Sequence, residues 1–224
     1  MCSSDLSGAL EQMRAFRKQS SGLKLSLRPM EGFWKTLPFP PTAAQRRAVD
    51  EALRDMTSGK PMSRLLQGDV GSGKTLVAAA LIWQTAQCGY QAAFMAPTEI
   101  LAAQHFQTLS ELLEPLGARL VLLTGSMTAA QKRKVNEMLT LGMPDAAIGT
   151  HALISESVAF RSLGLVVTDE QHRFGVGQRT ALSEKGTHPH VLVMSATPIP
   201  RTLALIIYGD LDISVLDELP PGRQ

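Results

Sequence analysis

Six short apolar runs, separated by amphipathic segments long enough to be helices, constrain this chain more than any other feature. The runs are residues 64–67 (RLLQ), 92–95 (AAFM), 120–123 (LVLL), 146–148 (AAI), 163–167 (LGLVV) and 191–194 (VLVM). Helical segments are predicted over 75–88, 98–113 and 128–141. Neighbouring parallel strands cannot be joined by a tight turn, and a helix is the usual crossover. Strand and helix in alternation therefore predict an α/β domain, a mostly parallel sheet with helices on both faces. Ligands of such sheets bind beyond the carboxyl ends of the strands. Chemistry is accordingly expected at Gly68 and the residues after it, Pro97-Thr98, Thr124-Gly125-Ser126, Gly149-Thr150-His151, Asp169-Glu170 and Ser195-Ala196-Thr197.

Outside this pattern the chain is less regular. Residues 1–40 are polar and punctuated, with one helical candidate at 10–18 and no strand that could join a sheet, and are expected to be a connector. The opening MCSSDL matches what translation of a common sequencing adaptor gives and is set aside from fold reasoning. The closing DELPPGRQ is turn-rich with no closing element, so both ends are expected to be cut. The tetrapeptide TAAQ occurs at Thr42–Gln45 and again at Thr128–Gln131. Thr followed three residues later by Gln is the capping-box arrangement, so the two copies predict two helix starts rather than a repeat.

Composition excludes more than it suggests. A chain of 224 residues with 44% hydrophobic and 19% charged residues can bury a sizeable core. A formal net charge of +2 announces no global attraction to nucleic acid, so any basic surface is local. Cys2 and Cys88 are too far apart in sequence to pair as metal ligands, and a reducing cytoplasm is the simplest compartment. No apolar stretch approaches the roughly 20 residues needed to span a bilayer, and no secretory signal is present.

Gly68-Asp69-Val70-Gly71-Ser72-Gly73-Lys74-Thr75 fits G-x-x-x-x-G-K-[ST], after an expected strand and before an expected helix. The glycines let backbone N–H groups, including those of Gly71, Ser72 and Gly73, converge on phosphate oxygens. Lys74 supplies a point charge to the β- and γ-phosphates, and the Thr75 hydroxyl can ligate Mg²⁺. The plainer alternative is a glycine-rich turn. At 165–174 the run LVVTDEQHRF closes an apolar strand with two adjacent carboxylates, Asp169 and Glu170, whose repulsion and desolvation need compensation. A divalent cation would supply it. Asp169 then belongs to the Mg²⁺ sphere, and Glu170 is placed to polarise an attacking water as general base. The plainer alternative is a solvated acidic turn.

These motifs, with Asp169-Glu170-Gln171-His172 and Ser195-Ala196-Thr197 in order behind the phosphate loop, resemble the first RecA-like motor domain of a superfamily 2 helicase or translocase. RLLQGDVGSGKT, MAPTEILAAQHF, LLTGS, GTHALI, DEQHRFGVGQR, VMSATPIPRTLAL and YGDLDISVLDELPPGR together resemble the RecG family of ATP-dependent DNA helicases over 37–224. The Mfd family of double-stranded DNA translocases is the nearest alternative, but would not be expected to carry DEQH together with DELPPGR. Thr168 stands where the resembled family usually has an aliphatic residue.

The resemblance implies ATP and Mg²⁺ as cofactors and branched double-stranded DNA, at stalled forks and junctions, as partner. It implies 41–224 as the ATP-binding motor domain of a monomer, working with a second RecA-like domain and an N-terminal wedge domain that 1–224 is not expected to contain. Alone, this portion is expected to bind ATP–Mg²⁺ weakly, hydrolyse it very slowly and not unwind DNA. Gln45 is implied to read the adenine edge, with Phe39 a stacking partner, although the capping box already accounts for it. Pro97, Thr98, Gly125, Ser126, Thr150 and His151 are implied to track a DNA backbone, for which hydroxyls and backbone N–H groups are suited. Gln171, His172, Ser195, Ala196 and Thr197 are implied to couple nucleotide state to DNA grip, with the 173–179 loop responding to DNA. A non-helicase phosphate-loop enzyme, a GTPase or small-molecule kinase, is disfavoured because no Asn-Lys-x-Asp guanine signature occurs. A nucleotide-independent DNA-binding or interaction module is the alternative from another class.

Overall fold

The structure, a computed structural model, describes residues 23–170, 182–197 and 211–218, with Glu170 described as a strand position only. Seven strands form one sheet: β1 Ser63–Gly68, β2 Gln91–Met95, β3 Leu120–Leu123, β4 Ala146–Gly149, β5 Leu163–Glu170, β6 His190–Ser195 and β7 Asp212–Leu216. Their spatial order is β3-β4-β2-β5-β6-β1-β7, and every pairing is parallel. The helices are α1 Glu31–Thr36, α2 Ala43–Thr57, α3 Lys74–Gln87, α4 Glu99–Leu113 and α5 Ala129–Leu141, with 3-10 turns at Glu114–Leu116 and His151–Ile154. This is the RecA-like α/β architecture expected of the alternation.

Central strands are apolar on both faces because both faces are covered. On β2, Ala92 and Phe94 join the larger core with Ala48, Leu81, Ile82 and Leu109 from α2, α3 and α4. Ala93 and Met95, one step out of phase, join a second core with Leu139 of α5 and Leu153. This is the two-residue alternation of a strand, sorted onto two helical layers. Helix α3 is buried nearly throughout its middle, from Leu76 to Thr85. Both TAAQ copies are helix starts with complete capping boxes, Thr42 with Gln45 and Thr128 with Gln131.

The core and the sheet both reach beyond the six apolar runs. The 41–224 boundary does not mark the edge of the core, because Leu25 (2% exposed) and Phe33 (0%) lie within the larger one. The irregular 23–30 stretch is pinned by backbone and side chain: Leu25 N donates to Met56 O at 3.1 Å, and the buried Gln84 side chain accepts from Arg28 N while donating to Arg28 O. Leu25 and Phe33 thus pack into the domain's core. At the edge of the sheet β7, a strand that the six apolar runs did not include, pairs with β1. Its burial is mixed, and an edge strand without a continuous apolar run carries little periodic signal. The acidic pair ends a strand, as expected: β5 runs through Asp169 and Glu170. The helical candidate at 10–18 lies outside the described residues.

Candidate active site

The phosphate loop joins β1 to α3. Gly71 and Gly73 take φ of 87° and 86°, left-handed backbone that costs a glycine little and an L side chain much. Gly73 is the N-cap of α3, which has no side-chain cap, so the first-turn N–H groups of α3 have no side-chain acceptor. Lys74 folds back over the loop, its Nζ donating to Gly68 O at 2.6 Å and Asp69 O at 2.9 Å. Burial pushes its pKa down, while the charges of Asp169 and Asp69 pull the other way. Thr75, the next residue, is half-buried beside it.

The influence of Asp169 on Lys74 follows from strand order. Only β6 separates β5 from β1, and the registers put Glu170 opposite Ser195 and Ser195 opposite Gln67. Two strand spacings amount to about 10 Å between backbones, a gap that side chains from either side can bridge. Ser195 therefore stands between the two motifs, its Oγ 3.1 Å from Thr197 Oγ1 in a turn closed by Thr197 N donating to Ser195 Oγ at 3.3 Å. Asp169 Oδ2 lies 2.7 Å from Nε2 of His105 on α4. Among the described residues no cluster of three or more His, Cys, Asp or Glu could hold a metal alone. One carboxylate and one hydroxyl are what a Mg²⁺ shared with substrate phosphates requires from protein, so Asp169 and Thr75 fit such an ion.

A cleft of about 860 Å³ opens beside the loop, bounded by Leu37, Phe39, Gln45, Lys74, Thr75 and the α4 residues His105 and Thr108. Phe39 is 52% exposed, an apolar surface facing solvent at its rim. Gln45 is 2% exposed, and each end of its amide makes a hydrogen bond. Oε1 accepts from Thr42 N at 2.9 Å, completing the cap, and Nε2 donates to Ser72 O in the phosphate loop at 2.9 Å. Gln45 thus ties the helix start to the phosphate loop while lining the cleft.

The remaining strand-end loops gather on the other half of the sheet, behind β2, β3 and β4, which are neighbours. Thr98 caps α4, accepting from Leu101 N at 3.2 Å, and is exposed. Pro97 is half-buried, while Gly125, Ser126 and His151 are exposed. Glu99 bridges two of these loops, its Oε1 accepting from Ser126 N at 2.8 Å, and its hydrogen bonds to Ser126 hold its carboxyl below the usual range. Lys132 Nζ donates to Gly125 O at 2.5 Å, bringing a cation to the same place. Thr150 departs from expectation, being 1% exposed with a hydroxyl that meets no partner among the described residues. At the neighbouring Gly149 a Cβ would collide with the Leu123 carbonyl oxygen, so β3 and the end of β4 approach closely here.

Residues 42–206 match the family model described as DEAD/DEAH box helicase. The chain belongs to the DEAD/DEAH box helicase family. It is 58% identical over 190 residues to the ATP-dependent DNA helicase RecG of Aquifex aeolicus, covering 84% of this chain and 24% of that protein. With the protein of the same name from Streptococcus pneumoniae it shares 53% over 210 residues, 93% of this chain and 31% of that one. A solved structure of RecG bound to a three-way DNA junction superposes with a TM-score of 0.85 at 48% identity, covering 96% of this chain and 29% of that one. The chain thus spans about a quarter to a third of the length of these relatives.

Within this helicase domain the sequence-derived nucleotide residues converge where described: Gly68, Gly71, Ser72, Gly73, Lys74 and Thr75 form the loop, and Asp169 lies within its field. Gln171 and His172, the 173–179 loop and Arg201 lie outside the described residues. Two residues escaped sequence reasoning. His105 sits seven positions after Thr98 in an ordinary amphipathic helix, and only the sheet order brings it to Asp169. Glu99 reads as a favourable first-turn acid, which conceals its bridge to Ser126. No helix among the described residues is long and apolar enough to cross a membrane.

Proposed function

We propose that this domain is the ATP-hydrolysing motor of a RecG-type helicase that translocates on double-stranded DNA and remodels branched DNA, stalled forks and Holliday junctions, in recombination and repair. What supports the reading is that the phosphate loop follows β1 and Asp169 closes β5, with only β6 and its Ser195 between them at the carboxyl edge of the sheet. The loop amides and Lys74 bind the triphosphate. On its arrival Lys74 exchanges the carbonyls of Gly68 and Asp69 for phosphate oxygens. Thr75 and Asp169 would hold Mg²⁺, which when bound would neutralise charge on the phosphates. Glu170 accepts a proton from the attacking water, whose oxygen bonds to the γ-phosphorus as the bond to ADP breaks. Thr98, Ser126 and His151, with the backbone of Gly125, face the DNA backbone, and phosphate contacts of this kind grip without reading sequence.

Coupling has a short route in this arrangement. Helix α4 begins at Thr98 on the DNA-facing edge and carries His105 to Asp169. Ser195, Ala196 and Thr197, with Gln171 and His172, complete the route on the nucleotide side. The whole protein works as a cytoplasmic monomer with a second RecA-like domain and a wedge domain, the second domain supplying an arginine to the transition state. Binding of a fluorescent ATP analogue with Mg²⁺ tests the core of this reading. Lys74→Ala should weaken binding about 10- to 100-fold, the equivalent of one charge-assisted hydrogen bond. Unchanged binding in Lys74→Ala, or GTP competing as well as ATP, would refute it.

A further inference from the structure

We infer that His105 is a positioning residue for Asp169, holding that carboxylate in the orientation that accepts the magnesium ion. The inference rests on the nucleotide reading above. His105 Nε2 and Asp169 Oδ2 are 2.7 Å apart, with both side chains about one-sixth exposed (15% and 16%). Oδ2 is taken by the imidazole, and among the described residues no side chain hydrogen-bonds Oδ1. A neutral ring with its proton on Nε2 is sufficient, and no change of charge is needed.

The imidazole is itself held. Its ring packs against Phe94 with centroids 4.6 Å apart, and Phe94 is wholly buried on β2, the strand beside β5. Helix α4 is anchored below by Leu109 and Leu113, both fully buried, and above by the Thr98 cap. A donor on a rigid helix, steered by a buried aromatic onto a carboxylate at a strand end, restricts that carboxylate's rotation. Groups that orient a metal ligand from behind typically contribute 10- to 100-fold to metal affinity. His105 also lines the nucleotide cleft, so the contact lies at its wall and not in the distant core.

The test is equilibrium binding of a fluorescent ATP analogue to the 224-residue chain, in EDTA and across a Mg²⁺ titration, for wild type, His105→Ala, His105→Gln and Lys74→Ala. For His105→Ala the Mg²⁺ midpoint should rise about tenfold or more, while binding in EDTA stays within about twofold of wild type. Gln places an amide N–H near the position of Nε2, so His105→Gln should recover most of the midpoint. An unchanged midpoint in His105→Ala would overturn the inference, since the histidine would then only pack against Phe94. A lowered midpoint would overturn it too, making His105 a competitor of the metal. Loss of EDTA binding in equal measure would reduce its role to helix packing. Should wild type show no magnesium-dependent binding, or Lys74→Ala bind like wild type, the nucleotide reading itself falls. Retained Lys74 dependence with an indifferent His105 would sink only the inference.

Discussion

Lowering the pH from 7.5 to 5 should cost this domain about 2 kcal/mol through one buried imidazole, His190. His190 opens β6 with 0% exposure, and its Nδ1 accepts from Met62 N at 3.0 Å, joining the starts of β6 and β1. Its Nε2 makes no well-formed hydrogen bond among the described residues. Burial drives its pKa down to about 4 from the ordinary 6.5, and the Leu23 backbone offsets part of that push. A depressed histidine pKa means that the unfolded chain takes up the proton first. The stabilisation is therefore complete above pH 6.5 and is lost as the pH falls towards 4. Full loss, below the folded value, amounts to about 3 kcal/mol, and about 2 kcal/mol has gone by pH 5. With a urea m-value of about 2 kcal/mol/M, the unfolding midpoint should move down by about 1 M between pH 7.5 and 5. His190→Asn keeps an acceptor for Met62 N but cannot titrate, so its midpoint should move less by that amount. Subtracting the two profiles removes the other histidines and the carboxylates. Parallel profiles for wild type and His190→Asn would refute the reasoning.

Thr168 is wholly buried on β5 with a hydroxyl that finds no partner among the described residues. Thr168→Val, nearly the same shape without the orphaned donor, should raise stability by about 1 kcal/mol in urea titration, and a loss of stability would argue for an unseen partner. Thr42→Ala and Gln45→Ala should each lose about 1 kcal/mol with the capping box. Gln45→Ala alone should also weaken binding of the ATP analogue, because it frees Ser72 O. Equal nucleotide affinities in the two variants would leave Gln45 as a cap only.

The motifs were legible because they are local. A phosphate loop is eight consecutive residues between a strand and a helix, and a capping box needs four, so each carries its mechanism in spacing alone. The five internal strands were legible as apolar runs because both their faces are covered, and the edge strand β3 because its four residues are all apolar. The same rule hid β7, whose residues alternate at an edge, and gave 23–40 no signal at all. That stretch is held by single long-range contacts, Phe33 in the core and Gln84 on the backbone of Arg28, rather than by periodicity.

Chain chemistry alone determined the architecture, the phosphate loop and the acid at the end of its partner strand, because each depends on residues adjacent in sequence. Tertiary structure decided who meets whom. The order β3-β4-β2-β5-β6-β1-β7 puts the candidate DNA loops on one half of the sheet and the nucleotide residues on the other. It also carries His105 across 64 positions of sequence to Asp169, commits Gln45 to Ser72, and sinks Thr150 beneath the surface. Such contacts follow from strand order and helix placement, global outcomes of burying two apolar faces at once, and no local pattern encodes them.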